Sequence, residues 1–215
     1  MYKHCIFDLD GTLTDPKLGI TRSYQYALSA FGINEEPDDL IGFIGPPLRE
    51  TFKIHYGFSD FDTEKAVAKF REYLTETGLY ENEIYPGIPE LLQTLKDNDI
   101  ILTIATSKAK IFADKTLDHF GLEGFFDFVS GDEMDGTLSK GGKREIIRLA
   151  INAVDPEQKT QTVMIGDRKH DIIGAKENDI DSIGVTWGYG SFTELKKAKA
   201  THIVDSVFTL KDLII

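Results

Sequence analysis

The chain has 215 residues, 41% of them hydrophobic, enough for one large α/β domain, or one domain carrying an insert, with a sizeable buried core. Lys and Arg number 24 against 36 Asp and Glu, a net charge of −12; such a surface repels polyanions, so neither nucleic acid nor an anionic membrane is expected as a partner. A small anionic ligand is still compatible with it, because a bound divalent cation reverses the local sign of a site.

No run of about 18 apolar residues is present, so no membrane span is expected. The first residues, Met1 to Cys5, lead straight into a strand pattern with no signal-peptide layout. Cys5 is the single cysteine and has no internal disulfide partner. These features together predict a cytoplasmic location.

In chain order, the apolar run 6–9 reads as a buried strand. Residues 17–80 then carry helical spacing only: 20–31 ending at Gly32, 47–56 ending at Gly57, and 63–77 before Gly78, with Ala66, Phe70, Tyr73 and Leu74 on one side. Pro89 opens a helix over 89–95. A strand follows at 100–105, a helix at 111–120 ending at Gly121, and a strand at 125–129. Next come a helix at 144–153, a strand at 162–165, a helix at 172–177 and a strand at 183–186. Ser191 and Glu194 have capping-box spacing, and 202–204 reads as a short last strand. Strands alternating with helices predict a doubly wound parallel sheet. The purely helical stretch is too long for an ordinary crossover. It predicts an inserted helical unit over 17–81, a core made of 1–16 and 82–215, and hinges at 14–17 and 81–86.

Strand one drives into Asp8-Leu9-Asp10-Gly11-Thr12. In an extended chain residues two apart share a face, and in open parallel sheets ligands gather at the carboxyl ends of strands. Asp8 and Asp10 are therefore candidates to reach one ligand. Gly11 permits close backbone approach, and Thr12 offers a hydroxyl. The bland alternative, acids capping a turn, accounts for a lone Asp-Gly better than for this longer string. The strand at 162–165 ends similarly in Gly166-Asp167, with Asp171 one helical turn on. Acids at a helix start are favoured by the dipole alone, but carboxylates at two strand ends make a plausible Mg²⁺ site.

Strand two ends in Thr106-Ser107-Lys108, where a hydroxyl and the following N–H suit a phosphoryl oxygen, or simply cap a helix. Lys140 and Lys143 flank Gly141-Gly142 just before the helix at 144–153. A cation at a helix start opposes the dipole and points to a nearby anion, although solvated loop lysines are common. The spacing is not that of a P-loop.

Together these segments resemble the haloacid dehalogenase-like superfamily, in particular its phosphoglycolate phosphatase-like phosphatases with a small helical cap. The matching motifs are Asp8 to Thr12, the stretch centred on Thr106, a lysine near 140–143, and Gly166 to Asp171. The frequent Lys-Pro of the third motif is absent, and Lys143 is preferred because it directly precedes the helix. The resemblance implies a Rossmann-like core and a Mg²⁺-dependent phosphatase acting on a small phosphorylated metabolite. It implies Asp8 as nucleophile, forming an aspartyl phosphate, and Asp10 as acid and base. Thr106 and Lys143 would stabilise the phosphoryl oxygens, with Gly11, Thr12 and Ser107 also binding substrate. Asp8, the Asp10 backbone carbonyl and Asp167 would ligate the metal, and Asp171 would hold its waters or Lys143. Arg49, in the cap's specificity segment, would meet an anionic part of the substrate, or else be an exposed helix arginine near Glu50.

A phosphomutase of the same family and a non-catalytic phosphoacceptor module are the alternatives. A phosphonate hydrolase would need a Schiff-base lysine in the cap, such as Lys53, a role that nothing in the sequence supports. Phosphoglycolate, nucleoside monophosphates and sugar phosphates all remain open as substrates, as do monomer and homodimer. Cys5 reads as core, His170 as surface, and Trp187 and Tyr189 as rim or sheet-edge packing.

Overall fold

The computed structural model describes residues 2–140, 142–154 and 161–215. Gly141, read above as open to close backbone approach, lies outside the described residues. Six parallel strands form the main sheet: β1 (His4–Phe7), β4 (Ile101–Ala109), β5 (Phe128–Asp132), β6 (Thr162–Gly166), β7 (Asp181–Val185) and β8 (His202–Val204), in the order β5-β4-β1-β6-β7-β8. All six sequence-predicted strands belong to it. β1 lies between β4 and β6, with Phe7 opposite both Ile104 and Ile165; β4 runs on past Thr106 to Ala109, further than the sequence suggests, whereas β1 and β6 end at about this level. That is the switch point of a doubly wound sheet, where ligands bind.

Apolar residues cover both faces of β1: Cys5 and Phe7 in one cluster with α4 (Ile88–Asp97) and α5 (Lys110–Phe120), Ile6 in another with α6 (Arg144–Asn152) and α7 (Lys169–Glu177). Such two-sided burial is why these strands read as continuous apolar runs. Strand one stops earlier than the sequence suggests. Leu9 O accepts the amides of Thr12, Leu13 and Thr14 at 3.2, 2.9 and 3.1 Å, which folds the chain into a tight turn directly after Asp8. β5 begins later than expected, because Glu123–Phe125 forms a short 3-10 turn.

Between β2 (Thr14–Asp15) and β3 (Glu83–Ile84) lie α1 (Lys17–Ser29), a 3-10 segment Pro37–Phe43, α2 (Leu48–Tyr56) and α3 (Asp60–Tyr73), which winds into a π turn at Leu74–Gly78. These helices have their own core. Tyr24 is 1% exposed, and its ring centroid stands 5.5 Å from Phe43, 5.5 Å from Phe52 and 4.9 Å from Phe70. α1 crosses the π turn so closely that a Cβ on Gly19 would lie 1.9 Å from Gly78 O. The 14–17 and 81–86 stretches do not cross separately: β2 and β3 pair antiparallel, Thr14 with Ile84 and Asp15 with Glu83.

Two short helices complete the core, α8 (Phe192–Ala198) and α9 (Val207–Ile214). Ser191 caps α8 by accepting Glu194 N at 3.1 Å, but the Glu194 carboxylate turns to Arg168 Nε and Lys169 N at 3.0 and 2.9 Å, so only half of the predicted box forms. Among the described residues no helix is long and apolar enough to cross a membrane.

Candidate active site

The site is built where β1 and β6 end beside the projecting last residues of β4. Asp8, one residue beyond β1, is held by its amide on Ile165 O at 2.9 Å, and its Oδ1 accepts Leu9 N at 2.7 Å. Lys143 Nζ lies 2.7 Å from Asp8 Oδ1 and 2.5 Å from Asp171 Oδ1. All three side chains are buried. Of the two candidate lysines, Lys143 therefore stands at the carboxylates, while Lys140 is exposed at the mouth of the cavity described below.

Asp167, directly after β6, accepts Tyr189 N at 2.7 Å on Oδ2 and the Thr12 hydroxyl at 3.4 Å on Oδ1. Asp171 also accepts Arg168 N at 3.0 Å. One carboxylate oxygen each of Asp8, Asp167 and Asp171 lies within 4.8 Å of the others. Burial, opposed by Lys143 and reinforced by Asp171, pushes Asp8 from the usual 3.8 up to about 7. Burial with repulsion from Asp171 and Asp8 pushes Asp167 up to about 8. Burial works against the charge on Lys143, but Asp171 and Asp8 outweigh it and its pKa is raised. Three buried carboxylates against one ammonium leave uncompensated negative charge in an all-oxygen donor set, the environment a hard divalent cation suits. The backbone leaves no slack around it: a Cβ on Gly188 would lie 2.1 Å from Gly11 O and 2.5 Å from Asp167 Oδ2.

Asp10 is not part of that trio. Its two oxygens accept Lys108 Nζ at 2.7 and 2.6 Å. Thr106 is buried, and its hydroxyl accepts Lys108 N at 3.2 Å. Asp8, Asp10, Thr106, Ser107 and Lys108 form the floor of a cavity of about 430 Å³. Its roof comes from the helical block and α5, with Ile20, Tyr24, Phe43, Phe70, Leu74 and Phe112 contributing apolar surface. Gly11 and Thr12 lie on the turn behind Asp8; Gly11 N bonds Thr14 O at 2.7 Å with φ +87°, a backbone state that favours glycine.

Arg49 lines the cavity, but the structure gives it protein partners: Glu64 through Nε and Nη2 at 2.6 and 2.8 Å, and Met134 O through Nη1 at 3.1 Å. Arg71 Nη2 bonds the same carbonyl at 2.6 Å. On the other side Arg168 Nη1 reaches Ile44 O at 2.5 Å. These contacts clasp the helical block to the core. The loop that carries Met134 is organised by Asp132, whose carboxylate accepts the amides of Glu133, Leu138 and Ser139 at 2.8, 3.0 and 3.2 Å. Lys53 pairs with Asp60 at 2.6 Å. Trp187 donates to Thr12 O at 3.1 Å, so it and Tyr189 brace the site from behind instead of merely packing an edge. Cys5 is a buried core residue and His170 is half-buried.

Sequence reasoning assigned no role to Lys108, Arg71, Asp132 or Arg168. Only Lys108 carried a signal, since it stands two residues beyond Thr106 and so on the same strand face.

The profile of the haloacid dehalogenase-like hydrolases matches residues 5–185. A protein of Pseudomonas aeruginosa named 5'-nucleotidase is 43% identical over 99% of this chain and 96% of its own. The tyrosine-protein kinase PtkA of Mycobacterium tuberculosis is 37% identical over 97% of this chain and 70% of its own. The crystal structure of a predicted phosphatase from Clostridium acetobutylicum superposes with a TM-score of 0.94 at 43% identity, covering 100% of this chain and 98% of that one. With the family profile spanning most of the chain and the fold shared with a solved phosphatase, the chain belongs to the haloacid dehalogenase-like hydrolase family and is a phosphatase of that family.

Proposed function

We propose that the protein is a Mg²⁺-dependent phosphomonoesterase working through an aspartyl phosphate on Asp8, with a nucleoside monophosphate as its substrate class. The observation that carries the chemistry is the Lys143 ammonium shared by Asp8 and Asp171 beside Asp167. Asp8, the Asp10 backbone carbonyl and Asp167 would hold the metal, with Asp171 behind them. Mg²⁺ supplies charge neutralisation between a carboxylate nucleophile and an anionic phosphate.

Asp8 Oδ attacks phosphorus as the ester P–O bond breaks, and Asp10 protonates the departing oxygen. Asp10 then takes a proton from the water that cleaves the acyl phosphate, releasing inorganic phosphate. Lys143 and the Thr106 hydroxyl offset the charge spread over the equatorial oxygens, assisted by Ser107 and by the turn at Gly11 and Thr12.

The helical block over 17–81 acts as the cap that excludes water and reads the leaving group. A roof that joins apolar and aromatic surface to the charged side chains Arg49, Lys53 and Arg71, over about 430 Å³, has room for a nucleoside as well as its phosphate. The relative named 5'-nucleotidase supports the same choice.

The test is a phosphate-release screen over nucleoside monophosphates, sugar phosphates and phosphoglycolate, with and without Mg²⁺. Metal-dependent turnover highest on nucleoside monophosphates is expected. A phosphomutase would return the phosphoryl group to a sugar, a kinase-like activity would move it to a protein hydroxyl, and a phosphoacceptor module would stop after one equivalent. Any of these outcomes overturns the reading.

A further inference from the structure

The carboxylate of Asp10 has one anchor. Among the described residues its only hydrogen-bond partner is the Lys108 ammonium, which contacts both oxygens at 2.7 and 2.6 Å. The pair is sheltered, with side chains 14% and 6% exposed. Both residues line the cavity. Lys108 reaches Asp10 from the neighbouring strand. β4 runs parallel to β1, and its pairing with β5 slips between Thr106 and Ala109, where Lys108 sits. The same hydroxyl proposed to hold a phosphoryl oxygen, on Thr106, accepts the Lys108 amide at 3.2 Å. Asp10 itself stands on a turn, tied to Thr14 by a single isolated bridge, so the backbone alone does not lock its side chain.

We infer that Lys108 is a positioning residue that holds the Asp10 carboxyl where the leaving oxygen departs, an inference that rests on the function proposed above. An ammonium has three donors and no acceptor. Two face Asp10, and the third is left for the cavity. When Asp10 carries a proton, the ammonium keeps its bond to the other oxygen, so the orientation survives the change of state. As the Asp8–phosphorus bond forms and the ester P–O bond breaks, that proton passes to the leaving oxygen. Without Lys108 the Asp10 side chain gains rotamers, and a misplaced acid loses much of its effect.

The experiment compares kcat/KM on an alkyl ester, adenosine 5'-monophosphate, with kcat/KM on p-nitrophenyl phosphate, whose leaving group needs little proton assistance. Both parameters report the chemistry up to enzyme phosphorylation. Lys108→Met should lower the alkyl-to-aryl ratio by about tenfold or more, Asp10→Asn should lower it at least as far, and the double variant should be no worse than Asp10→Asn alone. Lys108→Gln, of similar length and still a donor, is measured in parallel in case the methionine variant folds poorly, with a fall of the same sign expected. An equal loss on both esters in the Lys108 variants, or a multiplicative loss in the double variant, would overturn the inference while leaving the phosphatase reading intact. An unchanged ratio in Asp10→Asn would instead remove the acid role of Asp10 and the inference with it.

Discussion

Asp8 and Asp171 share one cation: Lys143 Nζ is 2.7 Å from the first and 2.5 Å from the second, with the lysine side chain 3% exposed. Buried as they are, both acids depend on that ammonium for compensation. Removing one partner of a buried pair leaves an uncompensated charge and typically costs about 3–5 kcal/mol. Lys143→Met should therefore abolish turnover and also lower the denaturant midpoint of the metal-free protein. Adding Asp8→Asn should restore part of that stability. A methionine variant as stable as the wild type would show that the ammonium does not neutralise the pair.

Asp8→Asn keeps the shape of the side chain and removes its charge. Because burial already disfavours ionised Asp8, the variant should fold at least as well as the wild type. Phosphate release should fall by about a thousandfold or more, with no acid-stable phosphoenzyme trapped on rapid quenching. Residual turnover near wild type would take the nucleophile role away from Asp8.

Asp8 and Asp167 stand at about 7 and about 8 when folded, against 3.8 ordinarily. Between about pH 4 and pH 8 the folded metal-free chain therefore binds more protons than the unfolded chain. These two groups make the folded state less stable as pH rises through that window. A divalent cation needs the ionised forms, so its stabilising effect should grow over the same interval. Thermal melts with Mg²⁺ and with chelator at pH 5, 6, 7 and 8 should show curves that diverge as pH increases. A constant gap would detach the metal from these carboxylates.

Arg49 and Arg71 converge on one carbonyl, Met134 O. Replacing either by Ala should loosen the clasp and raise KM about fivefold, the scale of one hydrogen bond worth roughly 1 kcal/mol. The rise should be similar for charged and uncharged leaving groups. A rise confined to anionic leaving groups would instead support the substrate-binding role that the sequence suggested for Arg49.

Much of this arrangement is legible in the sequence because it depends on local pattern. The buried central strands announce themselves as apolar runs, and the acids at positions 8, 10 and 167 stand where those runs stop, with Asp171 one helical turn further on. What escapes the sequence is pairing across elements. Nothing near Lys108 indicates that its ammonium crosses to Asp10, and nothing near Arg49 points to Glu64, fifteen residues away on the next helix. Glu194 has the spacing of a capping box, yet Arg168 and the Lys169 amide draw it away. α9 is missed because Val207, Phe208, Leu210, Leu213 and Ile214 are too short and too densely apolar a set to declare a helical period.

Where the chain enters and leaves the helical block it is stitched to itself, since β2 and β3 pair with each other. The two strings between block and core are thereby joined into a single pivot. Tyr189 sits on that pivot with two grips: its hydroxyl bonds Asp15 in β2, and its amide holds Asp167 Oδ2 at 2.7 Å. Through one tyrosine, that pivot is connected to a carboxylate at the bottom of the pit.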